Sequence, residues 1–234
     1  MRRLILLPLL LLASGAALAQ PSAERILSEW RAGWDRAAAG VDAVEVRETL
    51  DRTVDGPRED IEMRTEGRIV YASGAAPRRT VDRAELDGRR VAAPGRARFE
   101  RRTRRAFGVA ADILRIPPPL PGTYLRGAEP TGRPVRDDAD GRPAWRVPLS
   151  TTQNEGRVTA WFGRSEGYPL LRLQVERERD GARATLTADY RRVRGLDLPT
   201  DLSTTVTVRQ RRRLRTYAVD LRARGTYRSP EIVR

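Results

Sequence analysis

Residues 168–190 read YPLLRLQVERERDGARATLTADY. Apolar and polar residues alternate, the pattern reverses at Asp180-Gly181, and the alternation resumes. Asp-Gly between two alternating runs is a strong hairpin signal, because both residues accept the positive φ of a two-residue turn. Such a turn sets Arg179 opposite Ala182 and fixes the ladder from there. Leu171 then faces Tyr190, Leu173 faces Ala188, and Val175 faces Leu186. On the other face Arg172 meets Asp189 and Glu178 meets Arg183. One face is apolar and the other is paired charge, as in an antiparallel sheet with one side on a core and the other in water.

The same period extends outward. Strands are predicted over 44–54, 61–71, 81–86, 89–91, 124–128, 143–150 and 157–163 before the hairpin, and over 202–209 and 214–227 after a turn at 194–200. Two segments break the period. Residues 22–40 predict a helix capped by Ser22, with Ile26, Leu27, Trp30, Trp34 and Ala38 on one stripe and Gly40 at its stop. Residues 96–116, RARFERRTRRAFGVAADILRI, predict a second, inserted between Pro94-Gly95 and PPPLPG. Its stripe carries Phe99, Thr103, Ala106, Phe107, Ala110, Ile113 and Leu114, with arginine over much of the remaining surface. A two-sheet sandwich also alternates, but two helices with apolar stripes fit one covered sheet better. The predicted fold class is α+β, mainly β. It is a single curved antiparallel sheet, an unclosed half-barrel of about ten strands, with the N-terminal helix and the amphipathic insert on its concave face.

The first 20 residues, MRRLILLPLLLLASGAALAQ, have the form of a secretory signal peptide. Two arginines precede an apolar run too short to span a bilayer, and Ala17-Leu18-Ala19 supplies a cleavage site after Ala19. Residues 1–19 are read as that signal and 20–234 as one domain, with the periplasm as its location. The chain has no cysteine, hence no disulfide and no lipid-attachment cysteine. Net charge is +14, and every one of the 45 basic residues is arginine. Complete arginine usage reads as codon composition, and ERERD or VRDDAD interleave the two signs. A nucleic-acid groove segregates its arginines and interleaves aromatics, so no nucleic-acid partner is expected.

Catalysis has few available groups. Histidine and cysteine are both absent, which removes the commonest general base, metal ligand and thiol nucleophile. DDADG at 137–141 lacks the spacing and distant glutamate of a calcium loop and reads as a turn. No G-x-S-x-G elbow or phosphate-binding glycine loop is present. The sequence is therefore read as a non-enzyme with no metal and no cofactor.

Residues 161–202, WFGRSEGYPLLRLQVERERDGARATLTADYRRVRGLDLPTDL, carry a family resemblance. A tryptophan-containing strand end is followed by Tyr168-Pro169-Leu170, the hairpin, Asp189-Tyr190-Arg191, Gly195-Leu196 and Leu198-Pro199-Thr200. This run, and the order helix, meander, inserted helix, meander, resemble the outer-membrane lipoprotein carrier and sorting superfamily. The resemblance implies an unclosed barrel whose concave apolar face is covered by helices, with a strand arginine that holds the lid. It also implies an acyl lipid or lipidated protein as cargo, and an inner-membrane ABC transporter or envelope receptor as partner. The residues expected to line the acyl site are Leu171, Leu173, Val175, Leu186, Ala188 and Tyr190, with Phe107, Ile113 and Leu114 from the lid. The alternative is an envelope interaction or sensor module of the same fold with a filled core. Peripheral membrane contact through the inserted helix is a third reading, and a monomer is expected.

Overall fold

The computed structural model describes residues 20–55, 61–73, 75–107, 120–151, 154–179, 182–212 and 215–234. The predicted signal peptide, Ile113, Leu114 and the hairpin tip Asp180-Gly181 lie outside them.

Helix α1 (Ala23–Ala38) begins where the Ser22 side chain accepts a hydrogen bond from the Arg25 N–H, satisfying one of the orphan donors of a first turn. It buries Ala23, Ile26, Leu27, Trp30 and Trp34 on one stripe. A meander follows: β1 (Ala43–Asp55), β2 (Ile61–Ala72), β3 (Arg78–Leu86) and the two-residue β4 (Arg89–Arg90). Next come α2 (Ala93–Phe107), one helical turn α3 (Pro121–Tyr124), and the short strands β5 (Glu129–Pro130) and β6 (Val135–Ala139). The second meander is β7 (Arg142–Thr151), β8 (Asn154–Gly163), β9 (Leu170–Arg179), β10 (Ala182–Val193), β11 (Leu196–Arg212) and β12 (Arg215–Val233).

All 12 strands of the described residues belong to one sheet, ordered β4-β3-β2-β1-β12-β11-β10-β9-β8-β7-β5, with β6 also on β7. Every pairing is antiparallel. The ends, β4 and β5, are not joined to each other, so the sheet is an unclosed, curved half-barrel. The two meanders meet where β1 lies beside β12. The main apolar cluster combines the α1 stripe with inward residues of both meanders, and this defines the concave face.

The hairpin of residues 168–190 has the predicted register from Arg179–Ala182 to Arg172–Asp189. The pairing of Leu171 with Tyr190 does not form. Trp161 pairs with Arg172 while Phe162 pairs with Leu170, leaving Leu171 as the extra residue of a β-bulge. On the other side Tyr190 pairs with Pro199 across a second irregularity. The predicted strand at 124–128 is also replaced. Pro121 begins α3, where its lack of an N–H is harmless, and the Leu125 N–H donates to the Pro121 carbonyl at 2.7 Å. Gly122 presses so close to Trp34 that a Cβ would fall 1.7 Å from the indole nitrogen. Arg31 of α1 donates to the Leu125 and Ala128 carbonyls, pinning this segment against α1. Helix α2 starts earlier than predicted, at Ala93.

Candidate functional site: the concave face

Antiparallel pairing aligns inward residues into rows that cross the strands. One row runs Leu149, Val158, Val175, Leu186, Thr204, Ala223, Arg52, Met63, Leu86 through nine strands. The row beside it includes Leu173, Ala188, Leu202 and Leu50. On the other side lie Ala184, Val206, Leu221, Val54 and Ile61. Rows are separated by two residues of strand, about 7 Å, and neighbouring members of a row by about 4.8 Å.

The contacts of α1 gather at one end of these rows. Trp30 sits 5.9 Å from the Phe162 ring and 6.0 Å from Trp34. Its indole N–H donates to Asp197 Oδ2 at 2.8 Å. The same carboxylate accepts from the Leu170 N–H at 3.0 Å and from Arg192, Nε to Oδ1 at 2.8 Å and Nη2 to Oδ2 at 3.0 Å. Asp197 is wholly buried, and these donors are what allow a charge there. Arg192 also donates to the Gly167 carbonyl. Helix, hairpin and β11 are thus locked through one carboxylate.

Further along β1, Glu48 faces inward and is buried. It accepts from Arg79 Nη2 at 2.8 Å and from the Tyr227 hydroxyl at 3.1 Å, and its other oxygen lies 2.6 Å from Arg79 Nε. Burial pushes the phenols of Tyr71, Tyr190 and Tyr227 well above their usual range, and the negative charge of Glu48 adds to this at Tyr71 and Tyr227. They stay protonated, and Tyr227 donates to Glu48.

The second inward polar residue of β1 is Arg52, 8% exposed. Its Nη2 contacts Met63 Sδ at 3.3 Å and its guanidinium lies 5.5 Å from the Phe99 ring centroid of α2. No described carboxylate forms an ion pair with it, and Nε has no hydrogen-bond partner among the described residues. Burial pushes its pKa down from the ordinary arginine value to about 10, with Arg79 and Arg96 lowering it further and Glu100 and Glu48 working the other way. It remains a cation at neutral pH. Phe99 itself packs with Ile61 and Met63, flanked by Val54 and Leu86. The described part of α2 therefore covers the β1–β2 end of the face, opposite α1. One further polar atom is buried without a described partner on the Arg52 row, Thr204 Oγ1.

Of the residues expected to line an acyl site, Leu173, Val175, Leu186, Ala188 and Tyr190 all join the main cluster on the concave face. Leu171 does not: the bulge turns it to the rear of the sheet, where it packs with Ala139, Ala144 and Trp161. Phe107 is the last residue of α2, and its side chain, like Ile113 and Leu114, lies outside the described residues. Sequence reasoning missed Glu48, Arg52 and Thr204. A signal existed: inward positions of β1 in period two read Val44, Val46, Glu48, Leu50, Arg52, Val54, so two charges interrupt an apolar face. Among the described residues no group of three or more Asp or Glu could hold a metal ion. Among them, too, no helix is long and apolar enough to cross a membrane.

No family model and no curated protein matches the sequence. Among solved structures, the chain is similar to a DUF1329 family protein from Desulfovibrio piger, with 9% identity, 89% of this chain and 92% of that one covered, and a TM-score of 0.42. It is similar to an outer membrane lipoprotein-sorting protein domain from Vibrio parahaemolyticus, with 12% identity, 88% and 90% covered, and a TM-score of 0.39. A third similar structure is the MucA/MucB complex of Pseudomonas aeruginosa, with 10% identity, 84% and 93% covered, and a TM-score of 0.21.

Proposed function

We propose that this chain is an exported envelope protein that shelters an acyl chain, from a lipid or a lipidated protein, on the concave face of its sheet. The observation that carries this reading is the apolar row system of the second meander, which runs on past the end where α1 makes its contacts. Val175, Leu186, Val206 and Leu221 lie there, far along the strands from the Trp30–Asp197 lock. Burying an acyl chain on such a face contributes about 0.8 kcal/mol per CH₂, so a chain of ordinary length binds usefully even when partly enclosed. Resemblance over residues 161–202 supports the same cargo, with an ABC transporter or envelope receptor as donor or acceptor. The reading includes a monomer without enzymatic activity.

The second reading, an interaction module with a filled core, draws on the complete burial of Leu173, Ala188 and Tyr190, and equally of Val206 and Leu221 on the far rows. Native mass spectrometry of the purified protein, followed by organic extraction, separates the two. Co-purified acyl lipid, or saturable binding of a fluorescent acyl probe, is the expected result. A protein that neither carries lipid nor binds the probe, yet captures an envelope partner, would replace the carrier reading with the module.

A further inference from the structure

We infer that Arg52 and Thr204 form the head-group end of this acyl site, a receptor for an anionic oxygen head group attached to the chain. The inference rests on the acyl reading above. Thr204 Oγ1 and Arg52 Nε are both buried without a described hydrogen-bond partner. They stand on the same cross-strand row, and only Ala223 intervenes. Only a methyl side chain lies between them on the row; the guanidinium rests on Met63 and Phe99, on the far side of β1 from Thr204, and has to turn back over Ala223 to share a ligand with it.

The chemistry of these groups selects the ligand. A guanidinium only donates, and a hydroxyl donates or accepts, so what joins them must offer acceptors. A charge that has lost most of its water calls for a compensating charge. Arginine's fork matches the paired oxygens of a carboxylate or phosphate. The nearby charges do not fill this role. Glu48 is already held by Arg79 and Tyr227, Arg96 is another cation, and Glu100 acts on Arg52 only through space. Met63 and Phe99, the groups in contact with the guanidinium, are weaker partners for it than a charged acceptor.

The rest of the row then accounts for the tail. From Thr204 it continues through Leu186, Val175 and Val158, all apolar. A ligand with its anion between β11 and β1 lays its chain across β10, β9 and β8.

The test is displacement of a neutral fluorescent acyl probe by oleate, methyl oleate and 1-oleoyl lysophosphatidate at neutral pH. The wild-type protein is expected to prefer the anions over the ester by about tenfold or more, the worth of a charge-assisted contact. Oleate ahead of lysophosphatidate identifies a carboxylate ligand, and the reverse order a phosphate; either supports the inference. Arg52→Met should keep probe binding and bring oleate and methyl oleate within about twofold. Thr204→Val should weaken the anions slightly and leave the ester unchanged. Arg222→Met, on the opposite face, should leave the anion preference as it is. Equal binding of oleate and methyl oleate by the wild type overturns the inference and leaves the acyl reading standing. That ratio needs no variant, so it decides even where Arg52→Met does not fold. Absence of probe binding overturns the acyl reading instead.

Discussion

At the α1 end of the concave face a buried carboxylate, Asp197, is surrounded by N–H groups from Trp30, Leu170 and Arg192. At the α2 end a buried guanidinium, Arg52, touches a thioether and an aromatic ring. Both are inward-facing charges in the same sheet. The first has its desolvation offset by hydrogen bonds from three elements, so it fastens the structure. The second has less: burial lowers its pKa to about 10 even with Glu100 and Glu48 acting in its favour, so its charged form is held at a cost. A site that fastens and a site that is held at a cost are different kinds of feature. The second is where function is to be sought.

The contrast can be broken in four ways, taken from the largest effect down. Asp197→Ala strands the Arg192 charge and two N–H donors, and is expected to remove about 3–5 kcal/mol of stability in urea unfolding. A loss below about 1 kcal/mol would mean that α1 is not locked through this carboxylate. Phe99→Ala empties a smaller cluster, and should cost about 2–3 kcal/mol, toward the low end for a buried aromatic. Arg52→Met goes the other way. Replacing a buried charge that lacks a described ion pair by an apolar side chain of similar length should stabilise the ligand-free protein by about 1–3 kcal/mol, read as a higher urea midpoint. Destabilisation there would show that Arg52 fastens as Asp197 does. Arg172→Ala, at the rear between Asp189 and Asp140, should cost about 1 kcal/mol or less and leave acyl-probe binding intact.

The hairpin register was legible because Asp-Gly fixes its own turn and the charge pairs Arg172–Asp189 and Glu178–Arg183 agree with it. Leu171 was not, because a bulge is decided by the neighbouring strand: Phe162 reaches past it to Leu170, and nothing in the run Leu170-Leu171 marks which leucine turns away. Residues 124–128 looked extended by composition, yet Pro121, the close approach of Gly122 to Trp34 and the reach of Arg31 hold the chain in a helical turn. Those contacts come from α1, nearly a hundred positions earlier. Arg52 is the opposite case. Its inward position was readable from the period of β1, but among so many arginines a single one carries no weight until its burial is known.

The pairing of β1 with β12 brings residues 43–55 against residues 220–233, and this sets the order of assembly. Each meander can form by local hairpin closure, whereas the seam between them closes a loop of well over a hundred residues and comes late and slowly. Arg52 stands on one side of that seam, and Ala223 and Thr204 on the other. Neither half-sheet alone contains the row on which they meet, so an intermediate with both meanders formed is folded in most of its hairpins and still lacks that row. On the proposed head-group site, acyl-anion binding would report closure of the seam, and is expected in refolding only with the last kinetic phase.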